Sequence, residues 1–303
     1  MRRPAALLEP MDMPDPHFPI KVHFSASFRT GQLLFPNHWH KHIEILYCVA
    51  GKAHIECNSV PLAMEAGDVI VINSNDLHSG TCLSDDLAYY ALIADPILLQ
   101  SPTPDAAESK YISSVADNRL LFRHNSSCSE EIGGLIVAIV GELRGREMGF
   151  ELSVKSHLYR ILTLLIRRDV AQVLTENEDR LRTKNLERLA PVLAYMETHY
   201  ADPLHVHMLA GMAGLSRYHF GRLFKAVTGR TITEYIAWIR LSNAEQLLRN
   251  TTQTISEIAE MTGFHDIYYF SRMFKKMNGL PPTEWRKMAA ETDLGQVTAP
   301  PPP

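Results

Sequence analysis

The sequence has no CxxC pair. Its four cysteines, Cys48, Cys57, Cys82 and Cys128, stand far apart. That excludes a paired-cysteine metal or redox motif and leaves thiols of the kind a reducing compartment keeps free. No apolar run approaches the roughly 20 residues that span a bilayer, so no membrane helix is expected. The opening MRRPAALLEPMDMPDP starts on two arginines, but prolines and acids break its apolar stretch before signal length. We therefore expect a cytoplasmic protein with no membrane partner. A strong charge of one sign is missing too: the net charge is only −4. What the chain does have is ordinary for a soluble globular protein, 46% hydrophobic and 21% charged residues. Its 303 residues suffice for about two domains.

The small net charge hides an asymmetry. Residues 186–290 hold 12 Lys and Arg against 9 Asp and Glu, whereas residues 1–185 hold 18 against 23. A mildly basic block on an acidic chain permits nucleic-acid binding without proving it.

The hydrophobic pattern divides the chain. Residues 1–19 carry five prolines and read as a flexible arm. From 20 to 128, short β-branched or aromatic runs alternate with turn sequences: EILYCV (44–49), AHIEC (53–57), DVIVI (68–72) and LAYYALI (87–93). Many short strands without helices between them predict a small sandwich or barrel. From 129 to 170 the apolar period becomes three and four, predicting two amphipathic helices separated by GREMG. Residues 171–185, rich in Glu, Arg, Asn and Thr, read as a linker. Residues 186–290 are helical in pattern throughout, and 291–303, ending in TAPPPP, read as a disordered tail.

The helical block contains a repeat. LAGMAGLSRYHFGRLFKAVTG (209–229) aligns with IAEMTGFHDIYYFSRMFKKMNG (258–279). Ala210, Met212 and Gly214 match residues 49 further on; Tyr218, Phe220, Arg222, Phe224, Lys225 and Gly229 match residues 50 further on. The one-residue slip falls in a turn, where insertions are tolerated. Each copy reads as a short helix, a Gly-containing turn and a second helix, which is the helix-turn-helix pattern. Phe220 and Phe224, like Phe270 and Phe274, are four apart and face a core. Arg222 and Arg272 fall on another face with Lys225 and Lys275 nearby. Such a helix suits a major groove, with Arg reaching guanine edges and Lys the phosphates. TITEYIAWIRLSNAEQLLRN (231–250) joins the copies as one long helix, with capping boxes at Thr231/Glu234 and again at Thr254/Glu257. The plainer alternative is a helical bundle whose Arg and Lys form a solvated face.

On these stretches, residues 186–290 resemble the DNA-binding domain of the AraC/XylS family of transcription regulators. The resemblance implies base reading by the second helix of each unit: Arg217, Tyr218, Gly221 and Arg222 in the first, Asp266, Ile267, Tyr268 and Arg272 in the second. Lys225 and Lys275 would meet phosphates. Gly221 has no side chain to read a base, which shifts the first unit's burden to Tyr218 and Arg222.

In the N-terminal part, residues 38–44 read HWHKHIE. On a strand, His38, His40 and Glu44 share one face, and His42 has the same parity. Glu44 is followed by six residues and Gly51; later Gly67 is followed, eleven residues on, by His78. This resembles the two cupin-barrel motifs, H-x-H-x3-E-x6-G and G-x5-P-x-G-x2-H, with Asn73 and Asn75 in place of the usual Pro and Gly. The resemblance implies metal ligands at His38, His40, Glu44 and His78. Imidazole plus carboxylate suits a first-row divalent ion. Three readings stay open: a metal site; a polar pocket in which these residues and Trp39 bind a sugar or another small effector; and inherited barrel residues that bind nothing. His205 and His207 read as capping or surface residues, His265 sits beside the second recognition helix, and Tyr47, Tyr89 and Tyr90 read as core.

The expectation is thus an α+β protein: a cupin-like effector barrel, a helical segment for packing and homodimerisation, and an all-α domain of two helix-turn-helix units joined by a long helix. It would regulate transcription on double-stranded DNA in response to a small effector, contact RNA polymerase if an activator, and not be an enzyme. The rivals are a metal-dependent cupin enzyme with an appended DNA-binding domain and a DNA-binding protein that senses nothing.

Overall fold

In the computed structural model the described residues are Glu9, 13–101 and 103–295. Most of the expected arm and the last residues of the expected tail, 296–303, lie outside them. The chain divides after Leu186 into two units.

The first unit is built on eight antiparallel strands: β1 (Ile20–Ala26), β2 (Leu33–His38), β3 (Ile43–Ala50), β4 (Lys52–Cys57), β5 (Val60–Glu65), β6 (Val69–Ile72), β7 (His78–Cys82) and β8 (Ala88–Ala94). They form two four-stranded sheets, ordered β1-β8-β3-β6 and β2-β7-β4-β5. The expected barrel is therefore two sheets, not closed by ladder pairing among the described residues. The edges explain why. Pro36 lies in β2 and Pro61 in β5, the two edge strands of the second sheet. A proline cannot donate to a ladder and is confined to such edges.

The first sheet is covered on both faces, which accounts for the apolar run Ile45–Cys48 in β3. Ile43 and Ile45 join Val69, Val71 and Leu92 in the core shared with helices α2 (Ser129–Gly145) and α3 (Phe150–Arg168). Leu46 and Cys48 belong to the other core, with Ile55, Met64, Ile70 and Cys82. Glu44 has the parity of Leu46 and Cys48, so it faces the space between the sheets. Between β8 and α2 lie a short turn of π-helix, helix α1 (Ser113–Ala116) and strand β9 (Leu120–Phe122).

Residues 171–185, expected as a linker, are mostly ordered elements. Strand β10 (Val170–Val173) pairs with β9, and helix α4 starts at Glu176 and runs to Thr198. Glu176, Glu178 and Asp179 stand in its first turn, where acids favour a helix start. Thr175 and Glu178 hydrogen-bond reciprocally, as a capping box does. Polar composition had concealed a solvated helix.

In the second unit α4 is followed by α5 (Val206–Met212), α6 (Arg217–Thr228), α7 (Ile232–Asn250), α8 (Ile255–Met261), α9 (Ile267–Asn278) and α10 (Pro282–Gly295). Helix α10 extends to Gly295, so residues 291–295 of the expected disordered tail are helical. Its Met, Ala, Glu and Leu residues are good helix formers. The repeat is visible in packing. Phe224 meets Phe220 and Tyr235; 50 residues on, Phe274 meets Phe270 and Trp285, every ring pair 5.3–5.9 Å apart. Gly214 and Gly263 both take positive φ in the turns, 64° and 81°. At Gly263 a Cβ would also lie 2.6 Å from the Ala201 carbonyl, so glycine is required twice over.

Candidate functional site

Two sites stand out. On the second unit, the expected DNA-reading residues lie on the outer faces of α6 and α9. Ser216 caps α6, accepting from the His219 N–H. The Phe pairs bury the inner faces, and Arg217, Tyr218, Arg222 and Lys225 are exposed. With Gly221 they line an open groove that also takes in Thr231 and Thr233 at the start of α7. On α9, Tyr268 is 84% exposed, an unusual state for an aromatic with no partner. Arg272 and Lys275 are exposed beside it, and Ile267 is half-buried. The Arg222 guanidinium sits 5.8 Å from the Tyr218 ring, and that of Arg272 lies 5.7 Å from Tyr269. Asp266 is used differently from the expectation: one carboxylate oxygen accepts the N–H groups of Tyr268 and Tyr269, capping α9.

One residue of this unit was not visible in the sequence. Arg240 of α7 donates to the carbonyls of Tyr200, Asp202 and Gly263 at 2.7–2.9 Å. It thereby pins the turn after α4 to the turn of the second helix-turn-helix. On the polar side of an amphipathic helix, such an arginine reads as solvated.

The other site lies between the sheets of the first unit. His38 and His78 are direct partners across the β2–β7 ladder, and their rings are 4.2 Å apart. His40 follows β2 in the crossing to β3, and Glu44 comes from β3 in the opposite sheet. The single strand face expected for His38, His40 and Glu44 is thus replaced by two strands and their connection. The donors still converge: one ligand atom from each of His38, His40, Glu44 and His78 lies within 4.8 Å of the others. Trp39, expected among the pocket residues, is only 1% exposed and not among these donors; its indole N–H finds no hydrogen-bond partner. His42 faces Asp95, with Nε2 at 3.4 Å, and serves the site through its carbonyl.

Each ring is fixed by its Nδ1. His38 donates to the Pro36 carbonyl at 2.8 Å, His40 to that of His42 at 3.0 Å, and His78 to that of Asp76 at 2.8 Å. A carbonyl oxygen only accepts, so Nδ1 carries the hydrogen in every ring. A neutral imidazole then turns a bare Nε2 toward the site. Those of His40 and His78 stand 3.0 and 3.3 Å from the same Glu44 oxygen. Lone pair meets lone pair unless a proton or a cation intervenes, and His78 Nε2 has no well-formed hydrogen bond. Burial by itself raises the Glu44 carboxyl, but a proton on the His40 and His78 Nε2 atoms, donated to it, outweighs burial and holds it well below the usual range. Burial lowers His78. Burial would lower His38 too, but Glu9, whose carboxylate is 2.9 Å from Nε2, reverses the direction. The Glu9 N–H also donates to the Trp39 carbonyl. No motif marked Glu9.

The fit to a metal can be tested on distances. Donors about 2.0–2.1 Å from a tetrahedral zinc ion are about 3.3 Å apart, close to the observed 3.0 and 3.3 Å. Metal-binding histidines also donate their other N–H to a carbonyl or carboxylate, as all three do here. The residues therefore fit a divalent first-row ion.

The loop carrying His78 is itself tied down. Asn75, in the place of the motif's glycine, has φ +64°, which asparagine tolerates better than most residues. Its N–H donates to the His40 carbonyl at 2.8 Å. The buried Asp76 carboxylate accepts from Asn58, from Asn73 and from Arg182 of α4.

Comparison with known proteins gives two family matches: an AraC-like ligand binding domain over residues 25–162 and a helix-turn-helix domain over 209–288. The MmsAB operon regulatory protein of Pseudomonas aeruginosa is 35% identical over 102 residues, 34% of this chain and 33% of that protein. The chain spans only a third of that relative. The HTH-type transcriptional activator RhaS of an Enterobacter species is 26% identical over 281 residues, 90% of this chain and 94% of RhaS. Among solved structures, ToxT from Vibrio cholerae is 17% identical with a TM-score of 0.41, covering 89% of this chain and 97% of ToxT.

Proposed function

The chain belongs to the AraC-type transcription regulators, and on that premise we propose that it senses through a divalent first-row metal ion held by His38, His40, Glu44 and His78. Regulators of this type join an N-terminal ligand domain to a helix-turn-helix DNA-binding domain, and both are present here. The observation that carries the metal reading is the locked tautomers. Three Nδ1 atoms donate to backbone carbonyls, so the Nε2 lone pairs of His40 and His78 meet on the buried Glu44 carboxylate, and that of His38 faces Glu9. A cation turns that repulsion into coordination, and burying an extra proton on an imidazole is costly. An ion there supplies a strong local charge and a coordination shell of N and O donors. A small effector with hydroxyl or carboxylate oxygens, a sugar among them, is the kind of molecule that completes such a shell.

On the second unit, Arg217, Tyr218 and Arg222 with Arg272, Tyr268 and Ile267 read base edges, while Lys225 and Lys275 hold phosphates. The exposed outer faces of α6 and α9 support this assignment. Relatives named as activators favour activation, hence contact with RNA polymerase. Exposed apolar side chains on α2 and α3, Val137 and Leu152, suit a homodimer face. Among the described residues no helix is long and apolar enough to cross a membrane, and the cytoplasm is the expected place for a DNA-binding regulator. We read the N-terminal site as sensory rather than catalytic, since turnover has no need of two DNA-reading repeats.

Elemental analysis of the purified full chain tests the metal reading. It should find close to one divalent ion per chain, lost in His40→Ala together with Glu44→Ala. Protein free of metal that still answers its effector would end the metal reading.

A further inference from the structure

The four-donor site and helix α4 are joined by one short loop, residues 73–78. Two of its residues each face both ways. Asn75 donates its N–H to the His40 carbonyl and its side-chain amide to Thr183 Oγ1 of α4, at 2.8 and 3.4 Å. Asp76 accepts from His78 Nδ1 through its carbonyl and from Arg182 Nη2 of α4 through its carboxylate, at 2.8 and 2.7 Å. Two of the four donors are therefore one hydrogen bond from residues that themselves grip consecutive positions of α4. The Asp76 carboxylate is buried, and His124 Nδ1 stands 4.0 Å from its other oxygen. Helix α4 does not stop there. It continues without a break to Thr198, and its later residues Leu189, Val192, Leu193 and Met196 are fully buried.

We infer that this loop and α4 carry the state of the metal site to the DNA-binding unit, with Asp76–Arg182 as the principal contact and Asn75–Thr183 as the second. The inference rests on the reading of the site as a metal site. A ligand can shift a regulator only through contacts that differ between its states. Here the groups that meet the ion are the same groups that fix the Asp76 carbonyl and the Asn75 N–H. Drawing His40 and His78 toward an ion moves their anchors, and the anchors hold α4. The clamp is also incompletely satisfied: Asn75 Oδ1 and Arg182 Nη1 are buried without hydrogen-bond partners. A partly satisfied buried network is a weak point at which a small perturbation changes the preferred arrangement. Arg182 and Asp76 are positioning residues; neither is among the four donors.

The test uses the full chain, a DNA duplex selected in vitro by the wild-type protein, and Zn2+ alone as the probe. DNA affinity is measured by fluorescence anisotropy with Zn2+ and after chelation, for wild type, His78→Ala, Arg182→Gln and the double variant. If the link exists, Zn2+ changes wild-type DNA affinity by about 5- to 150-fold, the usual span of allosteric coupling. Arg182→Gln still binds one Zn2+ per chain, but its Zn2+-dependent change falls below about twofold, since the coupling of about 5-fold or more is lost. Thr183→Val weakens the response in the same direction. Full Zn2+ response in Arg182→Gln would overturn the inference and leave Asp76–Arg182 as a structural tie. If the wild type binds no Zn2+, the metal reading fails and the link is judged by the cycle alone. His78→Ala must then alter DNA affinity in the wild-type background and not in Arg182→Gln. Additive effects, or no effect in either background, overturn the link. Should His78→Ala not fold, the more accessible His38→Ala takes its place.

Discussion

Truncating Arg272 separates DNA recognition from folding more cleanly than any other single change. Its guanidinium is exposed on the outer face of α9, and its one aromatic neighbour, Tyr269, lies 5.7 Å from it. No buried partner depends on it, so Arg272→Ala should change unfolding free energy by less than about 0.5 kcal/mol. A bidentate Arg–guanine contact is worth about 1–3 kcal/mol, so DNA affinity should fall about 5- to 150-fold. Phe270, two positions earlier, faces the other way and is completely buried among Phe264, Phe274 and their neighbours. Phe270→Ala should cost about 3–5 kcal/mol of stability and lose DNA binding with the fold. The assay pairs urea unfolding with anisotropy titrations of a selected duplex at fixed salt. A duplex carrying a changed base at the contacted position should bind wild type and Arg272→Ala equally. If Arg272→Ala binds as wild type does, or if it loses stability as Phe270→Ala does, the placement of α9 in a major groove is wrong.

Further outcomes follow from other residues. Lys225→Ala and Lys275→Ala should each lower the slope of log affinity against log salt by about 1 and weaken all sequences alike; a sequence-dependent loss would make them base readers. Arg240→Met strips donors from three carbonyls, and at about 1.5–3 kcal/mol for a hydrogen bond to a charged group it should destabilise the second unit by at least about 2 kcal/mol in thermal unfolding. A loss below about 0.5 kcal/mol, the ordinary range of surface substitutions, would show that the three bonds do not form. Burial pushes the carboxyls of Glu197 and Glu245 up to about 7 from an ordinary 4.5. A raised folded value means stability is fully present below about pH 4.5, is lost as pH rises to about 7, and is flat above. Because both side chains are only partly covered, we expect about 1–2 kcal/mol from each rather than the full shift. Glu197→Gln with Glu245→Gln should flatten the pH dependence of thermal unfolding across that window; an unaltered slope would refute the assignment.

Several elements were legible because one signal sufficed. Strands β3, β4, β6 and β8 lie within a residue of the runs EILYCV, AHIEC, DVIVI and LAYYALI. Phe220/Phe224 and Phe270/Phe274 disclosed α6 and α9 through their spacing, and Trp285 shows the repeat reaching one element further than the sequence match did. Strands β2 and β5 were hidden by Pro36 and Pro61, residues that argue against a strand unless its edge position is known. The start of α4 was hidden by a composition that suits a linker and a solvated helix equally. At the four-donor site, His38, His40, Glu44 and His78 were legible from spacing, whereas their placement across two sheets was not. Glu9, Asp76 and Arg182 left no sequence trace at all. Each works through long-range contacts, and a polar residue with distant partners looks the same in sequence as one facing water.

The most direct measurement is the DNA affinity of the full chain before and after removal of bound metal by a chelator, then with Zn2+ restored. The account predicts a reversible change of about fivefold or more, absent in Glu44→Gln. Equal affinity in all three conditions, for a chain shown to carry one ion, would contradict it.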